Sequence, residues 1–269
     1  MPLPLLDHIV YGPVRSRRLG VSLGVNVLPA GLKVCNMNCA YCQYGSTGRA
    51  IRNRGEGIGW PSLQAIESAL TTRLTRAAAT GELLDRITVA GHGEPTLHPE
   101  FDEIAARLCA VRDRIAPDLP LAILSNSTTA MSADVRNGLM LFDERHMKLD
   151  AGDPITYARI NGAGGPLTRM IDALRTLGSI VVQAMFVTDR AGEIDNTTDG
   201  AVGDWIGALE RARAERVHIY TLDRAPAQGS LRPVPARRLR EIAERVRAAG
   251  IAATIFLPGS DRQRIAAPE

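Results

Sequence analysis

The sequence has few aromatic residues and no long apolar run. Phe, Trp and Tyr together make up 4% of its 269 residues, so a folded core has to be built mainly from Ala, Leu, Ile and Val. No stretch approaches the roughly 20 apolar residues that a membrane-spanning helix needs, and residues 1–10 lack the basic start and apolar run of a secretory signal peptide. These absences predict a cytoplasmic protein that does not enter a membrane.

The chain also lacks a large excess of either charge. It has 32 basic and 29 acidic residues and a formal net charge of +3, and this balance alone does not indicate a nucleic-acid-binding protein. Three of the basic residues, Arg15, Arg17 and Arg18, stand close together before the first predicted strand. Such a cluster can bind an anion, although solvated surface is its commoner role.

Cysteines are too few and too unevenly placed for a secreted, disulfide-bonded scaffold. Of the four, Cys35, Cys39 and Cys42 fall within eight residues, whereas Cys109 stands far away in the apolar pattern of a helix. We expect Cys109 to be a buried free thiol. The close spacing of the other three favours a metal centre.

Predicted strands and helices alternate along the whole chain, whose 45% apolar and 23% charged residues are ordinary for a large globular domain. Crossover helices favour a parallel sheet, either open and doubly wound or curved into a full or partial barrel. Roughly six or seven strand–helix units fit the length. The predicted strands cover residues 24–28, 86–90, 121–124, 146–149, 180–187, 217–222 and 252–256. The predicted helices cover residues 61–81, 100–115, 167–177, 204–213 and 239–249.

The spacing of the three clustered cysteines suits a single inorganic centre. Gaps of three and two residues let one loop place three thiolates around a [4Fe-4S] cluster, and without a fourth ligand nearby one iron stays open to an outside ligand. An open metal position usually means chemistry. Two alternatives stay open at this point, namely a structural zinc site completed by a histidine, and free thiols without metal.

The segment Cys35-Asn36-Met37-Asn38-Cys39-Ala40-Tyr41-Cys42 resembles the signature of the radical S-adenosylmethionine (SAM) superfamily, in which an aromatic residue precedes the last cysteine. Residues 12–20 (GPVRSRRLG) and 22–26 (SLGVN) further resemble the Fe-S oxidoreductases related to the tRNA wyosine-base synthases. The similarity runs from about residue 11 to residue 256. It implies a single domain over residues 1–269 with its core at about 11–256, folded as a partial (βα)6 barrel. The three cysteines would then hold a [4Fe-4S] cluster, and Tyr41 would lie beside SAM.

A glycine-rich turn follows the second predicted strand. Its residues Gly91-His92-Gly93-Glu94-Pro95 resemble the Gly-Gly-Glu-Pro motif of the superfamily, with His92 between the two glycines. Glycines let a ligand approach the backbone, and the resemblance implies that Glu94 accepts a hydrogen bond from the amino group of SAM. Without the cysteines, the same turn would be an ordinary loop before a helix. His92 is a candidate to face the substrate.

Further polar residues stand at the carboxyl ends of later strands, where parallel α/β folds gather their functional groups. The resemblance implies that Ser125 and Asn126 bind the ribose or carboxylate of SAM, although an ordinary capped turn is the alternative. It also implies that Lys148 meets the SAM carboxylate and Asp150 the ribose, with a buried ion pair as the alternative. Gln183 is costly to bury unpaired, so it needs either SAM or a neighbouring strand residue as a partner.

The substrate is predicted to meet Tyr220 and Arg224, at the end of the sixth predicted strand, together with Arg17 and Arg18. The resemblance implies reductive cleavage of SAM to methionine and a 5'-deoxyadenosyl radical, which abstracts hydrogen from the substrate. A low-potential electron donor such as ferredoxin or flavodoxin is then required.

The wyosine-base synthases carry a further cysteine set upstream, and residues 1–34 of this sequence contain no cysteine. We therefore expect a small biosynthetic substrate, a nucleotide or another anion, held near residues 15–18. Modification of tRNA is the alternative substrate class. A non-catalytic Fe-S or zinc protein is the alternative of another functional class.

Overall fold

The computed structural model describes residues 2–48, 51, 53–56, 59–162 and 165–259, and strands alternate with helices within them. The strands are β1 (Val10–Ser16), β2 (Gly20–Val25), β3 (Arg86–Val89), β4 (Leu121–Ser125), β5 (Glu144–Lys148), β6 (Val181–Asp189), β7 (Arg216–Thr221), β8 (Leu231–Pro233) and β9 (Ala252–Phe256). The helices are α1 (Leu63–Thr80), α2 (Phe101–Ile115), α3 (Ala133–Leu139), α4 (Pro154–Asn161), α5 (Leu167–Leu174), α6 (Asp199–Ala212) and α7 (Ala236–Ala248).

A mostly parallel sheet organises the chain. Across the described ranges its strands are ordered β1-β2-β3-β4-β5-β6-β7-β9, with β8 paired to β6. The strands from β2 to β7, and then β9, are parallel neighbours, because a helical crossover separates each from the next. Strand β1 is antiparallel to β2. Since β1 and β9 stay at opposite edges, the sheet is not closed, and the predicted α/β class with a partial barrel is confirmed.

Helix α1 shows why the predicted helices form. Ser62 caps its first turn by accepting a hydrogen bond from a backbone N–H group at 3.2 Å. Ile66, Leu70 and Leu74 are buried on one face, and Gly81 ends the helix in the left-handed conformation with φ 63°. The helix therefore ends at the predicted residue. No helix in the described part of the chain is long and apolar enough to cross a bilayer.

The prediction and the structure differ at the first strands and at two short helices. Strand β2 spans residues 20–25 rather than 24–28, because the side chain of Asn26 accepts a hydrogen bond from the backbone of Leu28 (3.3 Å) and turns the chain out of the sheet. The predicted strands miss β1, which as an edge strand exposes most of its side chains and has no apolar run. Helices α3 and α4, of seven and eight residues, are missed because neither shows a clear apolar repeat, unlike the equally short α5, in which Leu167, Met170, Ile171 and Leu174 are buried.

The apolar core between the sheet and its helices also fixes the carboxyl end of β5. Trp205 of α6 packs edge-on against Phe186 of β6, with ring centroids 5.0 Å apart. Its indole N–H donates to the backbone carbonyl of Leu149 at 2.8 Å. Because Leu149 directly follows β5, this contact holds the segment that carries Lys148 and Asp150.

Candidate functional site

The three clustered cysteines lie in the loop that follows β2, which we call the cysteine loop and which includes residues 33–45. Cys35, Cys39 and Cys42 are half-buried and form no disulfide. Two backbone N–H groups of this loop donate to the last two backbone carbonyls of α4, at 3.0 and 2.8 Å, which holds the loop against the end of that helix. Cys109 lies apart on α2, half-buried rather than fully buried, and its thiol donates to the carbonyl of Leu141 at 3.2 Å.

Gly91 and Gly93 are needed for close packing against the segment that leads into and carries the cysteines. An added Cβ atom on Gly93 would lie well inside 3.0 Å of the carbonyl oxygen of Val34, and one on Gly91 would do the same to the side chain of Asn26. The backbone N–H of Glu94 then donates to Val34 at 2.9 Å. The sequence indicated a ligand against these glycines, whereas the structure places protein atoms there.

Gly93→Ala is expected to lower the free energy of unfolding by about 1–3 kcal/mol, because the added methyl group forces the cysteine loop away from the turn. The amount of iron bound per chain should fall as well, because the displaced loop carries the cysteines. Urea unfolding and iron analysis measure the two effects. Gly207→Ala is the matched control, since a Cβ at this position has no neighbour within 4 Å. Because Gly207 lies in the interior of a helix, this substitution should raise the free energy of unfolding by roughly 0.5–1 kcal/mol. Wild-type stability and iron content in Gly93→Ala would contradict the packing role.

Glu94 ties the ends of β3 and β4 together. Its buried carboxylate accepts hydrogen bonds from the hydroxyl of Ser125 (3.0 Å), the backbone N–H of Asn126 (2.5 Å) and the backbone N–H of Thr96 (3.1 Å). Burial raises the pKa of Glu94, and these hydrogen bonds act against the rise. The structure therefore brings the predicted residues Glu94, Ser125 and Asn126 into one cluster. Their contact with SAM stays a prediction.

Lys148, the half-buried last residue of β5, forms an ion pair with the buried Asp150. The ammonium lies 2.9 Å from the carboxylate and donates to the hydroxyl of Tyr220 at 3.0 Å. The same carboxylate accepts hydrogen bonds from the backbone N–H of Met185 (2.8 Å) and from the hydroxyl of Tyr41. Burial acts to lower the pKa of Lys148, but the nearby Asp150 and Tyr220 outweigh it and raise that pKa. The sequence left two roles open for these residues, contact with SAM and an ion pair with each other. The structure shows the ion pair.

Gln183 finds its partners on neighbouring strands and on the β1–β2 turn. Its amide nitrogen donates to Nδ1 of His146 (3.0 Å) and of His218 (3.2 Å), and its oxygen accepts a hydrogen bond from Arg18. Burial lowers the pKa of both histidines, that of His218 to about 3, so both rings are neutral and can accept. The sequence predicted either SAM or a neighbouring strand residue as the partner of Gln183, and the structure shows neighbouring strand residues.

His92 is a buried link to the N-terminal segment. Its Nδ1 accepts a hydrogen bond from the backbone N–H of Leu6 at 3.0 Å, and its Nε2 donates to the carbonyl of Pro29 at 2.9 Å. The ring is fully buried, and burial lowers its pKa, which favours the neutral form that these two contacts need. Both nitrogens are thus engaged by the backbone, which corrects the prediction that His92 faces the substrate.

A cavity of about 450 Å³ lies beside the carboxyl end of β7. It is lined by the other four residues predicted to meet the substrate, Arg17, Arg18, Tyr220 and Arg224, and by Tyr41. The guanidinium of Arg18 stacks over the ring of Tyr220, 4.0 Å from its centroid. A larger depression of about 810 Å³ lies between α1 and α2 and contains none of the predicted site residues, so the smaller cavity is the candidate substrate site.

The cysteine loop fits a cluster better than a single ion. Within the ranges that the structure describes, no three His, Cys, Asp or Glu side chains converge on a point where one metal ion could bind. In a [4Fe-4S] cluster each thiolate binds a different iron, so the cysteines need not converge. Burial raises the pKa of Cys35 to about 12, and the positive charge of bound iron offsets the cost of forming a partly buried thiolate.

Asn161, the last residue of α4, is a site residue that the sequence did not reveal. Its amide nitrogen donates to Asp150 at 2.9 Å and lies 3.4 Å from the sulfur of Cys39. Its buried Oδ1 has no hydrogen-bond partner among the described residues, which leaves an acceptor for the N–H or O–H group of a cofactor. The available signal was the Asn-Gly pair at residues 161–162, which by itself indicates only the end of a helix.

The sequence profile of the Radical SAM superfamily matches residues 32–190 of this chain. The match covers more than half of the chain. It includes the cysteine loop, the glycine-rich turn and the carboxyl ends of β3, β4 and β5, but not the end of β7.

Several curated proteins are similar in sequence. A UPF0026 protein of Methanocaldococcus jannaschii is 36% identical over 57% of this chain and 44% of that protein. A UPF0026 protein of Helicobacter pylori strain J99 is 28% identical over 80% of this chain and 67% of that protein. A protein named GTPase Obg of Brachyspira hyodysenteriae is 31% identical over 80% of this chain and 30% of that protein. The chain thus matches less than half the length of two of these relatives.

Solved structures share the fold. A radical SAM methyltransferase from Sphaerobacter thermophilus has a TM-score of 0.62 at 15% identity, covering 89% of this chain and 67% of that chain. TYW1 with a lysine–pyruvate adduct bound has a TM-score of 0.59 at 13% identity, covering 89% of this chain and 76% of that chain. Identities this low show the fold alone, whereas the profile match shows the family. The chain belongs to the radical SAM superfamily, and its cofactors are a [4Fe-4S] cluster and S-adenosylmethionine.

Proposed function

We propose that this radical SAM enzyme acts on a small anionic molecule, a nucleotide or another anion, bound in the cavity lined by Arg17, Arg18 and Arg224. The observation that carries the proposal is the positive charge of this cavity, which the residues that the structure describes leave largely uncompensated. A low-potential donor such as ferredoxin or flavodoxin supplies the electron.

In this proposal Cys35, Cys39 and Cys42 hold the cluster, and the polar strand ends hold SAM. Together the bound cofactors supply a 5'-deoxyadenosyl radical, which abstracts hydrogen from the substrate. Glu94 keeps the ends of β3 and β4 beside the cysteine loop through the hydrogen bonds described above. Asn161 offers its unpartnered oxygen to SAM, because a buried acceptor otherwise stays unsatisfied.

The charges in the cavity favour an anion. Arg17 is neutralised by Asp223, 2.6 Å away. In the described part of the chain no carboxylate forms an ion pair with Arg18, which is held by the neutral Gln183, or with Arg224, which donates to a neutral glutamine side chain at 2.9 Å. A guanidinium without a counter-charge in a partly dehydrated cavity attracts carboxylates and phosphates and can bind them with paired hydrogen bonds.

The size of the cavity favours a small molecule. About 450 Å³ is within the range of small-molecule sites. A second cavity of about 350 Å³ also borders Arg18 and Arg224 and has mostly apolar walls. Tyr220 and Phe256 place aromatic rings in the wall of the first cavity, which suits an anion that also carries a base or another flat group.

The proposal is tested with anaerobically reconstituted enzyme, dithionite, SAM and a panel of nucleotides and carboxylates. We expect 5'-deoxyadenosine to form, and a substrate anion to raise the melting temperature of the protein. Arg18→Gln should weaken binding of that anion roughly tenfold or more, because a charge-assisted hydrogen bond contributes about 1.5–3 kcal/mol. Arg237→Gln is the matched control, since its side chain is 90% exposed on α7, and it should bind like the wild type.

Two results would contradict the proposal. Protein that keeps its cluster but makes no 5'-deoxyadenosine would rule out reductive cleavage of SAM. Transfer of deuterium from labelled tRNA into 5'-deoxyadenosine, with binding that weakens steeply as salt rises, would instead assign the enzyme to tRNA modification.

A further inference from the structure

A side-chain nitrogen lies beside the sulfur of each clustered cysteine. The three nitrogens come from different parts of the chain, namely the cysteine loop, the residue after β4 and the last residue of α4, so no single turn accounts for the arrangement. The pairs are Lys33 with Cys42 (3.2 Å), Asn161 with Cys39 (3.4 Å) and Asn126 with Cys35 (3.7 Å).

Lys33 differs from the two asparagines because it carries a full charge. Its ammonium also donates to the backbone carbonyl of Gly45, so it is held between Cys42 and the chain that follows. The side chain is half-buried, and among the described residues it forms no ion pair with a carboxylate. Its positive charge is therefore directed at the cysteine loop and is not neutralised by a neighbour.

Lysine is rare in this chain. Of the 32 basic residues only two are lysines, Lys33 and Lys148, and both lie at the candidate site. Arginine supplies positive charge everywhere else. A compact ammonium can approach a sulfur and a carbonyl together, whereas a planar guanidinium needs more room. The position of Lys33 thus suits a concentrated charge close to the thiolate of Cys42.

We propose that Lys33 raises the reduction potential of the cluster, with Asn126 and Asn161 acting in the same direction. This inference rests on the proposed ligation by the three cysteines. Reduction adds one electron from an external low-potential donor, and no proton is transferred to or from Lys33. The electron makes the cluster and its sulfurs more negative, so a cation near a ligand sulfur stabilises the reduced form more than the oxidised form.

The consequence concerns the balance between receiving and delivering an electron. A higher potential lets a weaker donor reduce the cluster, but it lowers the driving force for passing the electron to SAM. Lys33 shifts this balance by raising the reduction potential through its charge beside Cys42. The two neutral amides add the smaller effect expected of hydrogen bonds to sulfur.

The test is a redox titration of the reconstituted enzyme, in which electron paramagnetic resonance follows the reduced cluster. Lys33→Met keeps the length of the side chain and removes its charge. We expect the equilibrium for reduction to fall roughly tenfold, which for one electron is about 59 mV towards more negative potential. Lys33→Arg keeps the charge and should stay closer to the wild type. Arg107→Met, on the outer face of α2 and 43% exposed, should leave the potential unchanged.

Three outcomes would overturn the inference. In the first, Lys33→Met has the wild-type potential. In the second, Arg107→Met shifts the potential as far as Lys33→Met does, so that the effect is one of net charge. In the third, Lys33→Met has lost iron and sulfide, which would assign Lys33 to retaining the cluster. A wild-type protein without four irons and sulfides would instead contradict the cysteine ligation itself, and iron analysis separates that failure from the others.

Discussion

Cys39→Ala is expected to abolish both cluster binding and SAM cleavage. In the proposed ligation three cysteines hold the [4Fe-4S] cluster, so removing one would leave two irons without a protein thiolate. Cys109, the remaining cysteine, lies on α2 with its thiol bonded to Leu141, and it does not belong to the cysteine loop. Iron and sulfide should fall far below four of each per chain, and 5'-deoxyadenosine should fall to the level of protein without a cluster.

Cys109→Ala is the matched control for Cys39→Ala. It removes one thiol from the same chain and should keep the full cluster and wild-type SAM cleavage. Its cost in unfolding free energy should stay within about 1 kcal/mol, because the side chain is only partly buried. A Cys39→Ala protein that retained four irons and made 5'-deoxyadenosine would show that the cluster is held elsewhere.

The features that the sequence predicts best are the local ones. The cysteine spacing lies within one loop, and the stripe of Ile66, Leu70 and Leu74 lies within one helix, so each can be recognised without knowing the rest of the fold. The parallel arrangement of the strands also follows, because helices of sufficient length separate successive apolar segments, whereas their order in the sheet does not follow from these helices alone. Strand β1 does not follow, since an edge strand with exposed side chains lacks the apolar pattern that marks a buried one.

The partners of the site residues depend on distant parts of the chain and are much harder to predict. Arg18 and Gln183 are 165 positions apart and are brought together only when the β1–β2 turn reaches β6. Gly93 shows a second limit. The sequence indicates that this position needs a glycine, but it does not show whether a ligand or the backbone of Val34 lies against it. The same limit applied to His92, whose partners are backbone atoms that no motif describes.

Asp150→Leu is expected to lower the free energy of unfolding by about 3–5 kcal/mol. The carboxylate is buried and accepts hydrogen bonds from four groups, so leucine leaves the ammonium of Lys148 without its counter-charge and three further donors without an acceptor. The other donors are the hydroxyl of Tyr41, the amide of Asn161 and the backbone N–H of Met185. Urea unfolding of the cluster-free proteins measures the loss. Asp134→Leu, 70% exposed, should change stability by no more than about 0.5 kcal/mol.

Lys148→Met should cost less than Asp150→Leu, because the carboxylate keeps the three donors named above. In the double variant, neither partner of the ion pair is left charged and unpaired. Its loss in free energy of unfolding should therefore be smaller than the sum of the losses in the two single variants. This comparison separates the two roles that the sequence left open for the pair. If Asp150 served only to bind the ribose of SAM, Asp150→Leu would keep wild-type stability and lose SAM cleavage, and the two losses would add. A large loss of stability with strong coupling would instead show that the pair holds β5, β6, α4 and the cysteine loop together. SAM binding would then be lost because the surrounding structure is disrupted.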